Sequence, residues 1–359
     1  MSYRTLAAKP LNAGLKTVLK RGGHIGLGIS AFTPVLALAN PTGAAVMTGQ
    51  ASISSLAANG LVIHQTTQSA IINWQQFNIG AGQYVQFLQP SSSSVVLNRV
   101  VGGSPTSIFG NLTANGQVFI VNTNGVFFGK GATIDAQGFL ASSLDISDSD
   151  FLSKHYLFDE SGPGNGKVVN QGTITAHRGG YVVLAGDYSE NDGIISAQSG
   201  HVILASGAKS TLTLNGNSLV SYVVNNATLS SLAGVANAGT LNADGGTVIM
   251  TADVANALKA TVVNNTGLIE ARSLSKYNGG IYLTADGGNI VNAGTLDADA
   301  MTAGHAGGNI VLKGDALTNL TKTSNIQATG IGANGGSVEV SGNTIALRGA
   351  LTKIGRAHV

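Results

Sequence analysis

The sequence predicts an all-β fold of the β-solenoid class, and three observations carry the prediction. Short alternating apolar runs recur between Asn-Gly and Gly-Gly turns, a motif of roughly 20 to 30 residues repeats through the second half of the chain, and no stretch shows helical periodicity. Glycine fills 50 of 359 positions, about twice its usual ~7 % share, while only 10 % of residues are charged. That balance is too apolar for a disordered chain and too poor in helix formers for a bundle.

Residues 1–39 come first, with a basic segment (Arg4, Lys9, Lys16, Lys20, Arg21) and an apolar run from Ile25 to Leu38. They read as a signal peptide cut between Ala39 and Asn40, because the run is shorter than the ~20 apolar residues of a membrane span and is broken by Pro34. The chain has no cysteine, in keeping with a protein that crosses a pore unfolded.

From Asn40 to Asn98 the period-two runs Val46–Ile53, Leu61–Gln65, Ala70–Phe77 and Gln83–Leu88 predict half-buried strands. Trp74, Phe77, Tyr84 and Phe87 form the densest aromatic group and are expected to plug one end of the core. Asn98 and Arg99 interrupt the apolar run Val95–Phe109, and Arg99 reads as a structural cation reaching carbonyls at a loop. Residues 110–143 place strands Val118–Val121, Val126–Phe128 and Phe139–Ala141 between the turns Asn115-Gly116, Asn124-Gly125 and Gly129-Lys130-Gly131, and read as the first regular coil pair. The stretch after Ser143 breaks the repeat and gathers Asp145, Asp148, Asp150, Asp159 and Glu160, as expected of a solvated loop over one face.

After Lys167 the repeats read Asn-x-Gly-x-Ile/Leu-x-Ala, a Gly turn, then an alternating strand. A single coil cannot bury its own apolar face, but coils stacked about 4.8 Å apart pair every strand and share one core. Asn170, Asn191, Asn237, Asn265 and Asn292 are expected to ladder their amides along the stack. Their spacings are 21, 46, 28 and 27, so the step of 46 is read as two coils.

Catalytic and metal signatures are missing from the sequence. The histidines, among them His64, His155, His177, His201 and His305, show no His-x-x-x-His spacing, and there is no Gly-x-Ser-x-Gly elbow, P-loop or dinucleotide fingerprint. Asp244, Asp286, Asp297 and Asp299 lie beside Gly turns, where Asp belongs for backbone-bonding reasons. No cofactor and no catalytic or metal-binding residue is expected. Between the basic leader and the tail, 12 basic face 17 acidic side chains, which argues against a nucleic-acid partner.

The leader, the segments INWQQFNIGAGQYVQFLQP (71–90) and LNRVVGGSPTSIFGNLTANGQVFIVNTNGVFFGKGATIDAQGFLASS (97–143), and the repeats together resemble the N-terminal secretion domain of two-partner-secretion exoproteins, the filamentous-haemagglutinin-like adhesins. The resemblance covers about residues 40–290, with Thr123 where the family usually has proline. It implies a right-handed parallel β-helix with an N-terminal cap and an extra-helical β-sheet. It also implies export by the Sec machinery and recognition in the periplasm by the POTRA-type domains of an outer-membrane β-barrel transporter. Folding would be nucleated at the surface of a Gram-negative cell, and the product would be secreted or stay surface-exposed.

Asn122, Asn124 and Gly125 are the recognition determinants that the resemblance carries over, with Asn98 and Arg99 where a second motif usually lies. A structural role in the cap is equally open to all of them. The domains expected are the signal peptide 1–39, a cap and secretion core 40–165, repeats 166–352, and a tail 353–359 that looks like translated sequencing adapter. A receptor would then be met by a C-terminal part beyond this sequence. The alternative reading is a β-helical carbohydrate-active enzyme or carbohydrate-binding protein.

Overall fold

A computed structural model describes residues 40–56, 59–159, 166–226, 233–255, 261–275 and 277–354. The signal-peptide reading and Ala39 fall outside these residues, as do Glu160 and positions 355–359 of the tail. Within them the chain winds into three-strand coils whose strands pair in parallel from one coil to the next.

One coil shows the pattern. The strand Lys167–Asn170 leads to Thr173–Gly186, whose first half, through Ala176, and second half, from Tyr181, lie in different ladders. The next coil repeats it with Tyr188–Asn191, Ile194–Ala197 and His201–Ser206. Later coils continue in register through Thr240–Asn242, Leu268–Glu270, Thr295–Asp297 and Asn325–Ala328.

Register decides the core. Ile134, Ile174, Ile195, Leu241, Ile269, Leu296 and Ile326 sit one above another and are all fully buried. Each contributes roughly 1.5–3 kcal/mol through burial. A one-residue slip in any coil would turn its isoleucine or leucine outward, so the repeat enforces its own pairing.

The N-terminal end is closed by strands of opposite direction. Ala45–Thr48 pairs antiparallel with Ser69–Trp74, and Ala51–Leu56 antiparallel with Gly60–Gln65. Parallel coils begin directly above, where Gly60–Gln65 meets Tyr84–Leu88 and Ser69–Trp74 meets Val95–Val100. Regular coils therefore start earlier than residues 110–143. The aromatic group fills the core of the first two coils at this end: Trp74, Phe77 and Phe87 are buried, with Trp74 and Phe77 edge to face at 5.4 Å, while Tyr84 is half-buried.

The asparagine ladder forms as expected. Asn170 donates its amide to Asn191 at 2.8 Å, Asn191 to Asn237 at 2.9 Å, Asn237 to Asn265 at 2.8 Å and Asn265 to Asn292 at 2.7 Å, and Asn292 ends the run on Ser324 Oγ. Asn191 and Asn237 are thus neighbours, and the 46-residue step is one coil carrying an insertion, not two coils. The insertion forms the hairpin Lys209–Asn215 and Ser218–Asn226.

That hairpin completes a four-stranded antiparallel sheet outside the coils, in the order Asp145–Ile146, Tyr156–Asp159, Lys209–Asn215, Ser218–Asn226. The acidic stretch is therefore ordered rather than a solvated loop. Ser147 caps the short helix Asp148–Leu152 by accepting the Asp150 amide, and Phe151 of that helix is buried. Phe151, Tyr156 and Phe158 pack with Leu97, Phe119 and Leu140 into a second apolar core on the flank of the stack.

Candidate functional site

The turn Asn122–Gly125 links the strand Gln117–Val121 to Val126–Phe128. The Gly125 amide donates to the Asn122 carbonyl at 2.8 Å and closes it. Within the turn, Asn122 Oδ1 accepts the Asn124 amide at 3.0 Å, the Asx geometry for which asparagine is favoured. Asn122 Nδ2 reaches the other way, to the Ser104 carbonyl and Thr106 Oγ1, both at 3.0 Å. Its side chain is buried and fully occupied by the fold.

Gly125 has φ +105°, and a Cβ there would stand 2.8 Å from the Lys167 carbonyl of the next coil. Only glycine meets both demands. Asn124 differs from its neighbours: it is exposed, and among the described residues its side chain hydrogen-bonds through Nδ2, to the Gly102 carbonyl at 3.2 Å and Asn122 Oδ1 at 3.2 Å. Thr123, in the place of the usual proline, sits in an intact turn.

Asn98 is fully buried, where its Oδ1 accepts the Trp74 indole N–H at 3.0 Å and its Nδ2 donates to the Phe119 carbonyl at 3.2 Å. It ties its own coil to the coils on either side at the base of the stack. Trp74 as its partner could have been read only from three-dimensional register, because the two residues are 24 positions apart.

Arg99 points to the opposite face of the same strand. It donates from Nε to Asp145 at 2.9 Å, from Nη1 to Asp148 at 2.6 Å, and from Nη2 to the Ile146 carbonyl. Burial works against its charge, but the bond to Asp148 and the field of Asp145 outweigh it, so the guanidinium pKa lies above its ordinary value. A structural cation bonding a carbonyl was legible in the sequence, but not that the carbonyl is that of Ile146, 47 residues away in a strand. The two carboxylates were not legible either, since they lie 46 and 49 residues away.

The structure therefore divides the five residues. Asn98, Asn122 and Gly125 are inside the coil stack, Arg99 is at its flank, and Asn124 alone presents its side chain to solvent. Beside Arg99, a shallow depression of about 430 Å³ is lined by Asp145, Asp148 and Asp150, of which the first two are already engaged by Arg99 and the third by Ser147 and His155. Among the described residues no group of three His, Asp or Glu side chains is placed to hold a metal ion.

Gln117 was not singled out by the sequence reading. It is fully buried, accepts the Tyr181 hydroxyl at 2.5 Å and donates to the Gly216 carbonyl at 3.0 Å, at the tip of the outer hairpin. Burial raises the Tyr181 phenol pKa well above its ordinary value, so this hydroxyl stays a donor.

Comparison with known proteins agrees with this architecture. The chain is 36 % identical over 226 residues to a heme/hemopexin-binding protein of Haemophilus influenzae strain Rd, covering 57 % of this chain and 24 % of that protein. A second heme/hemopexin-binding protein of Haemophilus influenzae is 31 % identical over 319 residues, covering 82 % of this chain and 34 % of that one. The chain thus spans only a quarter to a third of these relatives' length. Among solved structures, the HMW1 secretion domain from Haemophilus influenzae superposes with a TM-score of 0.75 at 30 % identity, over 86 % of this chain and 83 % of that one. The profile of the TPS secretion domain family matches residues 37–298, so the chain belongs to that family and contains the secretion domain of a two-partner-secretion exoprotein.

Proposed function

We propose that this domain delivers a long exoprotein to the surface of a Gram-negative cell through a cognate outer-membrane β-barrel transporter, and then templates the folding of the exoprotein segments C-terminal to it. After Sec-dependent export, the transporter's periplasmic POTRA-type domains take hold of the chain. The exposed Asn124 side chain belongs to the surface they read, while Asn98, Asn122 and Gly125 shape the turn and the first coils. Adhesion or another effector activity resides in segments beyond this sequence.

The observation that carries the reading is the polarity of the stack. Antiparallel strands seal its N-terminal end, whereas each coil above offers in-register strand edges to the next. Further coils can therefore add at the C-terminal end of the stack, as templating of the segments C-terminal to it requires.

The test is binding of the purified chain to the isolated periplasmic domains of its transporter, with Asn124→Ala as the probe. The proposal expects saturable binding of the wild type and at least about tenfold weaker binding of the variant, a loss of ~1.4 kcal/mol. Failure of the wild type to bind would count against the recognition step.

A further inference from the structure

We propose that the outer four-stranded sheet is a strap whose closure over an apolar flank completes the fold, and that Arg99 and Gln117 are the latches that fix where it lands. The flank is visible residue by residue. Ile71, Leu97, Phe119, Leu140, Val183 and Ile203 point away from the main core and are nonetheless fully buried. Their strands are apolar on both faces, unlike Asn309–Gly314 farther along, where buried and accessible residues alternate. Two-faced apolar strands exist only where a second layer covers them.

The covering layer comes from two separate places. Residues 145–159 supply Phe151, Tyr156 and Phe158, whose rings surround Phe119 at 6.1, 5.4 and 6.2 Å. The hairpin Lys209–Asn215 and Ser218–Asn226 supplies Leu212, Leu219 and Tyr222. Tyr156–Asp159 pairs with Asp145–Ile146 inside the first half and with Lys209–Asn215 of the second, so its other edge gains a partner only when the second half arrives. Until then the apolar flank of the coils through Ser206 is covered only in part, by residues 145–159.

Among the described residues, each half has a polar side-chain anchor to an earlier coil. Arg99 grips Asp145, Ile146 and Asp148 of the first half. Gln117 holds the Gly216 carbonyl of the second, across 99 residues of sequence. Arg99 and Gln117 pair through their backbones in the parallel ladders, but their side-chain bonds to the strap are not ladder bonds, so loosening the strap need not unstack the coils.

The asparagine spacing supplies a clean test. The Asn191-to-Asn237 step of 46 exceeds the Asn170-to-Asn191 step of 21 by 25 residues, which matches excision of positions 208–232. The ends would meet, since the Gly234 amide already bonds Ser206 Oγ at 2.9 Å. A chain lacking 208–232 should bind the apolar dye ANS several-fold more strongly than the full chain, or fail to form its β-structure at all. In Arg99→Gln, proteolysis within 145–159 should accelerate on the order of tenfold, with far-UV β signal kept and coil turns cut no faster. Asn237→Ala, which breaks the ladder away from the strap, should lower Tm without raising ANS binding.

A deletion chain that is monomeric, silent to ANS and melts like the full chain would overturn the proposal. So would Arg99→Gln with unchanged cleavage, or with strap and coil turns accelerated equally.

Discussion

Asn122 makes four side-chain hydrogen bonds in a turn that it shares with Asn124, yet the two asparagines do different work. Removing the first strands the Ser104 carbonyl and the Thr106 hydroxyl, a loss of about 1–3 kcal/mol, so Asn122→Ala should lower Tm by several degrees in a melting curve. Asn124→Ala removes exposed contacts and should leave Tm nearly unchanged. Secretion that falls in Asn124→Ala at constant Tm would therefore report recognition, while a fall confined to Asn122→Ala would report folding. Gly125→Ala should cost about 2 kcal/mol or more in chemical denaturation, because it combines a positive φ with a contact against the neighbouring coil. The asparagine and glycine types at this turn were legible because local turn chemistry demands them. Their contacts with residues 104 and 106 were not, since those depend on how coils stack.

At the scale of the element, the ladder is the unit of stability. Asn237 both accepts from Asn191 and donates to Asn265, so Asn237→Ala leaves two buried amide groups short of a partner and should destabilise by about 2–3 kcal/mol. The aspartate at the outward corner behaves in the opposite sense. Burial, then the nearby Asp299, raises the Asp297 carboxyl pKa above its ordinary value despite the amide that Asp299 donates to it. A raised folded-state pKa means that the folded chain holds this proton more tightly than the unfolded one. Stability from this group is present below the unfolded pKa and is lost as pH rises through the folded value. Asp297→Asn should accordingly raise Tm at pH 7, with the gain fading by pH 3 where the carboxyl is already neutral.

The elements also show where sequence reading succeeds. Strand–turn–strand repeats were visible because each coil obeys a period of two and ends in glycine. The 46-residue step misled, because an insertion of 25 residues preserves both the flanking asparagines and the coil motif around them. A usable signal was present in runs such as VFIV and VVLA, apolar on both faces, which imply an outer layer on pattern alone.

For the molecule as a whole, the same features make a fold with a direction. One end is sealed by antiparallel strands, the early coils depend on the strap, and the later coils depend only on the coil beneath them. The family emerges from the ordered combination of cap, turn and repeats, and the comparisons over residues 37–298 and over 86 % of the chain bear it out. Recognition and folding roles are not separable in the sequence, because Asn98, Asn122 and Gly125, which the motifs single out, are also buried in the coil stack.

The most direct measurement of the central claim is the amount of this chain found outside cells that express it with and without its cognate transporter. The account predicts extracellular or surface-exposed protein only when the transporter is present, with the chain retained in the periplasm otherwise. Equal release in its absence would contradict it.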